Sequence, residues 1–157
     1  MGIPILRRAR WRDDAGQFAG IEAIPFGVLV FVVGSLLIAN AWAVVDAKLA
    51  VSSAAREATR TYVEAGPDLD AAAATARAAA IDALEGQGRD PSRATISITN
   101  PAGRFQRCAR VTASVTYRLP AVTLPIIGGY GRGFSVSSHH SELIDPWRDD
   151  LPGRGCA

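Results

Sequence analysis

The sequence predicts an α+β fold. It should have a long N-terminal helix (a transmembrane segment plus an extracytoplasmic extension), a second alanine-rich helix and a small antiparallel sheet of about three strands. Three observations carry this. Ala23 to Val45 hold no charged residue across twenty-three positions. Small and apolar residues then recur every three or four positions through residue 84. Beyond residue 94 the apolar period falls to two, the signature of strands with one buried face.

The uncharged stretch reads AIPFGVLVFVVGSLLIANAWAVV. As a helix it would be about 34 Å long at about 1.5 Å per residue. A hydrocarbon core of about 30 Å needs about 20 mostly apolar residues. A chain of 157 residues has too little core to cover such a helix on all sides. We read residues 15–45 as the transmembrane segment. Residues 1–14 form a basic leader with Arg7, Arg8, Arg10 and Arg12. Arginines before a span favour a cytoplasmic N-terminus and place the larger part outside. Ala39–Ala41 and Ala41–Ala43 also offer small-x-small cleavage sites of a secretory signal. The stretch is long for a signal, however, and runs into further helical pattern without a polar break.

Residues 46–145 are expected to fold as an extracytoplasmic α+β domain, followed by an irregular tail over 146–157. Ala47, Val51, Ala54, Ala58 and Tyr62 form a narrow helix-packing stripe that a helix or sheet can approach closely. Gly66 and Pro67 end that helix. The second helix is expected over 68–85, with Asp68 as N-cap, Asp70 in the first turn, and Leu69, Ala73, Ala76, Ala80 and Leu84 facing inward. Strands follow around Ile96 and Ile98, over 111–119, and near 134–142. Asn100 to Gly103 make a turn, and the glycine-rich 121–133 reads as a flexible loop. In the strand parity of Val111, Cys108 falls on the polar face unless a bulge intervenes.

Cys108 and Cys156 are a possible disulfide pair, with two free thiols as the alternative. Neither has a neighbouring second ligand, so no metal is expected. His139 and His140 are adjacent and point to opposite strand faces, which argues against joint metal binding. Gly128 to Gly131 lack the lysine and following helix of a phosphate loop. No catalytic residues and no cofactor are predicted. Acids are interleaved with the basic residues, which argues against a nucleic-acid partner. Glu22, at the edge of hydrocarbon, is the notable polar residue. An acid there either has a functional role with a charged partner or lies solvated in the headgroup layer, and the residues alone leave both open.

A basic leader, the small-residue run Gly16–Glu22, the apolar span and Ala54-Ala55-Arg56-Glu57-Ala58-Thr59-Arg60 together resemble the TadE-like family. These are minor pilin-like proteins (pseudopilins) of the bacterial tight-adherence (Flp) pilus. Val115-Thr116-Tyr117-Arg118-Leu119-Pro120 and 134–142 are similar to the later part of that family. The resemblance implies a non-catalytic, single-pass protein of the cytoplasmic (inner) membrane. Its partners would be other pilin-like subunits, the pilus-assembly machinery, the lipid bilayer and a prepilin peptidase. In the family, that peptidase cuts after a glycine five residues before the glutamate. Here Gly16 lies six before Glu22, with Gln17 between. Either cleavage after Gly16 tolerates one extra residue, or this copy is not processed. A freed Gln17 ammonium would pair with Glu22 of a neighbouring subunit and set axial register. The alternative is a membrane-tethered extracytoplasmic binding module unrelated to pili.

Overall fold

A helix α1 runs unbroken through Ala15–Glu64, with Pro25 inside it. The computed structural model describes residues 15–124, 126–131, 133–153 and 156, with side chains from residue 23 onward. The basic leader over 1–14 lies outside the described residues. The chain divides into two units, residues 1–39 and residues 40–157.

In the second unit α1 continues to Glu64, and Ala47, Ala50, Val51, Ala54, Ala55, Ala58 and Tyr62 are buried along one side. A second helix, α2 (Leu69–Glu85), buries Ala72, Ala76, Ala80 and Leu84. Leu69 and Ala73 are only half-buried, so the inward stripe sits one position off the predicted one at its start. Asp68 is the N-cap: its carboxylate accepts from the backbone N–H of Asp70 (3.0 Å) and Ala71 (3.1 Å). Removing it with Asp68→Ala leaves those donors without their carboxylate partner and is expected to cost about 1 kcal/mol of thermal stability. At the other end Gly88 takes φ +67°. That lets Arg89 N–H reach Leu84 O (2.9 Å) and Gly88 N–H reach Glu85 O (2.8 Å), a Schellman closure that only glycine adopts without strain.

A 3-10 turn (Pro91–Arg93) leads into β1 (Ala94–Thr99), then β2 (Arg110–Leu119), β3 (Val122–Leu124), β4 (Gly128–Tyr130) and β5 (Phe134–Leu143). The main sheet is antiparallel in the order β1-β2-β5. The fold is α+β, with the elements predicted plus one more. Residues 121–131, expected as a loop, form a separate β3–β4 hairpin.

Cross-strand pairing fixes which side chains share a face. Val111, Ala113, Val115, Tyr117 and Leu119 of β2 are buried, and the register places Ala94, Ile96 and Ile98 of β1 beside them. On β5 the same face carries Val136, Ser138, His140 and Glu142. One core cluster joins this face to the α1 stripe, Ala80 and Leu84. A second cluster holds Tyr62, Ala72, Ala76, Phe105, Ala109, Val111, Ile144 and Leu151. Tyr62 and Phe105 stack there with ring centres 5.9 Å apart.

Cys108 does not belong to β2. It lies before the strand, at φ +63°, so the parity argument does not apply to it. It is bonded to Cys156, with Cα atoms 5.3 Å apart and a sequence separation of 48. The tail has no regular structure, yet it is packed. Ile144 and Leu151 are buried, and Arg107 N–H donates to Pro152 O (3.0 Å). Arg148 donates to Ala65 O (2.8 Å) and Val63 O (3.3 Å). Val63 lies in the last turn of α1 and Ala65 directly follows it, where no intrahelical donor remains, so the tail caps the helix.

Candidate functional site

The sequence directs attention to α1, and the structure gives its parts different surroundings. Ala23 onward is long and apolar enough to cross a membrane, with a mean hydropathy of 2.4, and none of the apolar window is buried within the chain. Ile24, Phe26, Leu29, Phe31, Leu37 and Ile38 are all exposed by more than half. Exposed apolar side chains in such a run are costly in water, and a partner phase or surface must cover them.

The predicted stripe of Ala47, Val51, Ala54, Ala58 and Tyr62 is fully covered within the chain, by the sheet and α2. Close approach along this part of α1 is therefore already taken up. Thr59, the buried polar residue on this side, donates its hydroxyl toward Ala55 O (2.8 Å) and His140 O (3.1 Å). Lys48 donates to Ser137 O. Two α1 side chains thus reach the backbone of β5. Asp46 pairs with Arg89, whose guanidinium also lies 6.0 Å from the Tyr117 ring centre.

The backbone of Gly16, Gln17 and Glu22 is helical, as part of α1. Their side chains lie outside the described residues, so the proposed processing and register contacts have no counterpart among them.

His139 and His140 fall on opposite faces of β5. His140 Nε2 lies 3.1 Å from Glu142 Oε1, both half-exposed at the edge of the helix-facing side. Among the described residues no group of three His, Cys, Asp or Glu side chains is placed to hold a metal ion. Arg60 is held above its ordinary value by its hydrogen bond and ion pair with Glu64 at 3.0 Å, with a smaller contribution from Glu57. Asp90 caps the 3-10 turn, and its hydrogen bonds from Ser92 hold its carboxyl below the usual range. What that cap contributes is present above the unfolded carboxyl value of about 3.9 and is lost as pH falls through the lower folded value.

The face of the main sheet away from the helices is a field of small hydroxyls. Pairing aligns Thr95, Thr116 and Ser137 in one row, Ser97, Ser114 and His139 in the next, and Thr99, Thr112 and Ser141 in a third. Thr112 and Ser141 are joined at 2.8 Å. Sequence reasoning passed over this face because alternating Ser and Thr read simply as the polar half of a strand pattern. Comparisons with protein-family models, with curated proteins and with solved structures find no match for this chain.

Proposed function

We propose that this chain is a non-catalytic, single-span membrane protein that acts in assembly of a tight-adherence pilus or related envelope structure, as a TadE-like pilin-like subunit. The observation that carries the proposal is the division of α1. Residues 23–45 are uncharged and none of the apolar window is buried within the chain, while Ala47, Val51, Ala54, Ala58 and Tyr62 on one side of the later half are buried in its own domain. The apolar half is thus the part left for lipid and for the helices of other subunits. Small residues there, such as Gly27, Gly34, Ala39 and Ala41, suit close helix contacts in lipid. Glu22 at its leading edge would set register against a positive group of a neighbouring copy, and a freed Gln17 amine after peptidase cleavage would supply that group.

Two measurements test this. Glu22→Ala should leave insertion of the full chain in the membrane intact while reducing recovery of pilin-like subunits in cross-linked complexes by about tenfold, the order of effect expected for losing one charge pair at hydrocarbon depth. Unchanged recovery rejects the register role. Mass spectrometry of the mature N-terminus separates the alternatives. A start at Gln17 supports a processed pilin-like subunit, an intact leader supports a plain anchor, and a start near Trp42 or Val44 indicates secretion.

The open hydroxyl face favours the second reading, a tethered binding module. A flat array of Ser and Thr side chains suits a polar partner surface. Loss of that binding on replacing Ser97 and Ser114 by bulky residues, with pilus assembly intact, would select it.

A further inference from the structure

The β3–β4 hairpin is the element that the proposed function does not use. Residues 121–131, AVTLPIIGGYG, carry no charge and lie between Arg118 and Arg132 in sequence. The strands pair Val122 with Tyr130 and Leu124 with Gly128, so the loop is three residues long. At its tip Ile126 and Ile127 are 107% and 66% exposed. Val122 and Tyr130 are about half-exposed as well. Hairpin tips in water usually take Gly, Asn or Asp. Here two of the three loop residues are isoleucines, and Ile126 sits at φ +73°, a left-handed backbone that a β-branched residue tolerates poorly. A glycine or asparagine would suit the backbone better, so the fold gives no reason for the isoleucine.

Where the hairpin is fastened supplies one. The Asn40 side chain pairs with the Thr123 backbone in both directions. Thr123 N–H donates to Asn40 Oδ1 (2.7 Å), and Asn40 Nδ2 donates to Thr123 O (3.3 Å). Asn40 is five residues before Val45, the end of the uncharged stretch, or about 8 Å along the helix. The hairpin is therefore held level with the last turns of that stretch. Trp42, two residues on, is 71% exposed, as suits a residue at a bilayer interface. At the hairpin base Arg93 and Arg118 line a groove together with Gly129 and Ser135. A Cβ on Gly129 would come within 2.5 Å of Pro120, so glycine is what lets the hairpin close down there.

We infer that the β3–β4 hairpin is a second membrane contact, inserting Ile126 and Ile127 into the bilayer leaflet nearest the folded domain. The inference rests on the reading of residues 23–45 as a span. A bilayer is the occupant because the chain itself brings lipid to the level of Asn40. The strand pairing and the Asn40 amide satisfy backbone groups that hydrocarbon would leave unpaired. Arg93 and Arg118 then face lipid phosphates, as cationic side chains do beside an inserted apolar element. Two attachment points on one domain fix its tilt against the membrane, which a single flexible tether does not.

The test uses the full chain in phosphatidylcholine–phosphatidylglycerol vesicles, with or without bromine on the acyl chains. An environment-sensitive fluorescent amino acid replaces Leu37 in the span, Ile127 at the tip, or Glu64 as a water reference about 36 Å along α1 from Asn40. Brominated lipid should quench the probes at 37 and 127 by roughly twofold or more and leave the probe at 64 unchanged. Quenching at 37 without quenching at 127 overturns the hairpin inference and leaves the span reading standing. No quenching at 37 overturns both. A blue-shifted probe at 127 that brominated lipid does not quench means that a second copy covers the tip, and this too overturns the inference. Ile126→Asp with Ile127→Asp should preserve circular dichroism and abolish quenching of a probe at Tyr130, and persistence of that quenching counts against lipid insertion.

Discussion

Removing the Cys108–Cys156 bridge, by Cys108→Ser with Cys156→Ser, is expected to lower the unfolding free energy of the folded domain by about 4 kcal/mol. The bond joins positions separated by 48 in sequence and closes a loop that contains β2, β3, β4 and β5. In the unfolded chain that closure removes much conformational freedom, and the cost grows slowly with loop length. Domains of this size are stable by about 5–15 kcal/mol in total, so the loss is a large fraction. Replacing both cysteines avoids a free thiol that would blur the comparison.

The loss should also have a local component. The tail beyond Ile144 is fastened at several points: the bridge, Leu151 in the second core cluster, Arg107 N–H on Pro152 O, and Arg148 on the last carbonyls of α1. Arg148 also lies 5.5 Å over the Phe105 ring. Without the bridge the remaining contacts hold the tail in place but open more often. Denaturant unfolding of the full chain in detergent should show a lower midpoint. Hydrogen exchange should rise first at Ile144 and at position 108, whose N–H groups donate to Ala109 O and Ile144 O. An unchanged midpoint in the double variant would mean that closing this loop removes little freedom from the unfolded chain, and the loop-closure account would fall.

Those parts of the fold that bury one face and expose the other were legible in the sequence. The alternation over 111–119 and the three-and-four spacing from Ala47 to Tyr62 each mark a single wet and a single dry side. β5 was harder. Its inward face carries Ser138, His140 and Glu142, so its own pattern hardly separates in from out, and pairing with β2 sets its register instead. The start of α2 was ambiguous because a run of alanines has no contrast between faces. The hairpin was missed because its strands are three residues long and Asn40, more than eighty residues away in sequence, fixes it in place. The packed tail gave one signal, Cys156, which says that something holds the end of the chain but not where. For the candidate site, the uncharged stretch was plain from the sequence, whereas coverage of the alanine stripe by the chain's own sheet required the structure.

That coverage leads to the second large effect. Ala58→Leu is expected to destabilise the domain by about 3 kcal/mol, by forcing three extra carbons into a site with no exposure. Leucine has high helix propensity, so α1 itself does not object. The penalty comes from what faces it. Ala54, Ala55 and Ala58 share a core cluster with Ala113 at the centre of the sheet, so small residues occur on both sides of the contact. Next along the helix, Thr59 reaches the carbonyl of His140 on β5 at 3.1 Å, which requires the helix to lie close over the strand. A leucine at 58 lifts α1 from the sheet, and lifting it breaks the Thr59 bond as well. Ser53→Leu, on the exposed side of the same helix, adds a comparable side chain with no such contact and should stay within about 0.5 kcal/mol of the parent. The pair of variants separates two explanations of the alanine stripe. If the stripe exists for contacts between subunits, Ala58→Leu unfolds at the same denaturant concentration as the parent and fails only in assembly. If it exists to seat the chain's own sheet, stability falls in the isolated protein before any partner is added, and the contacts in the structure require the second result.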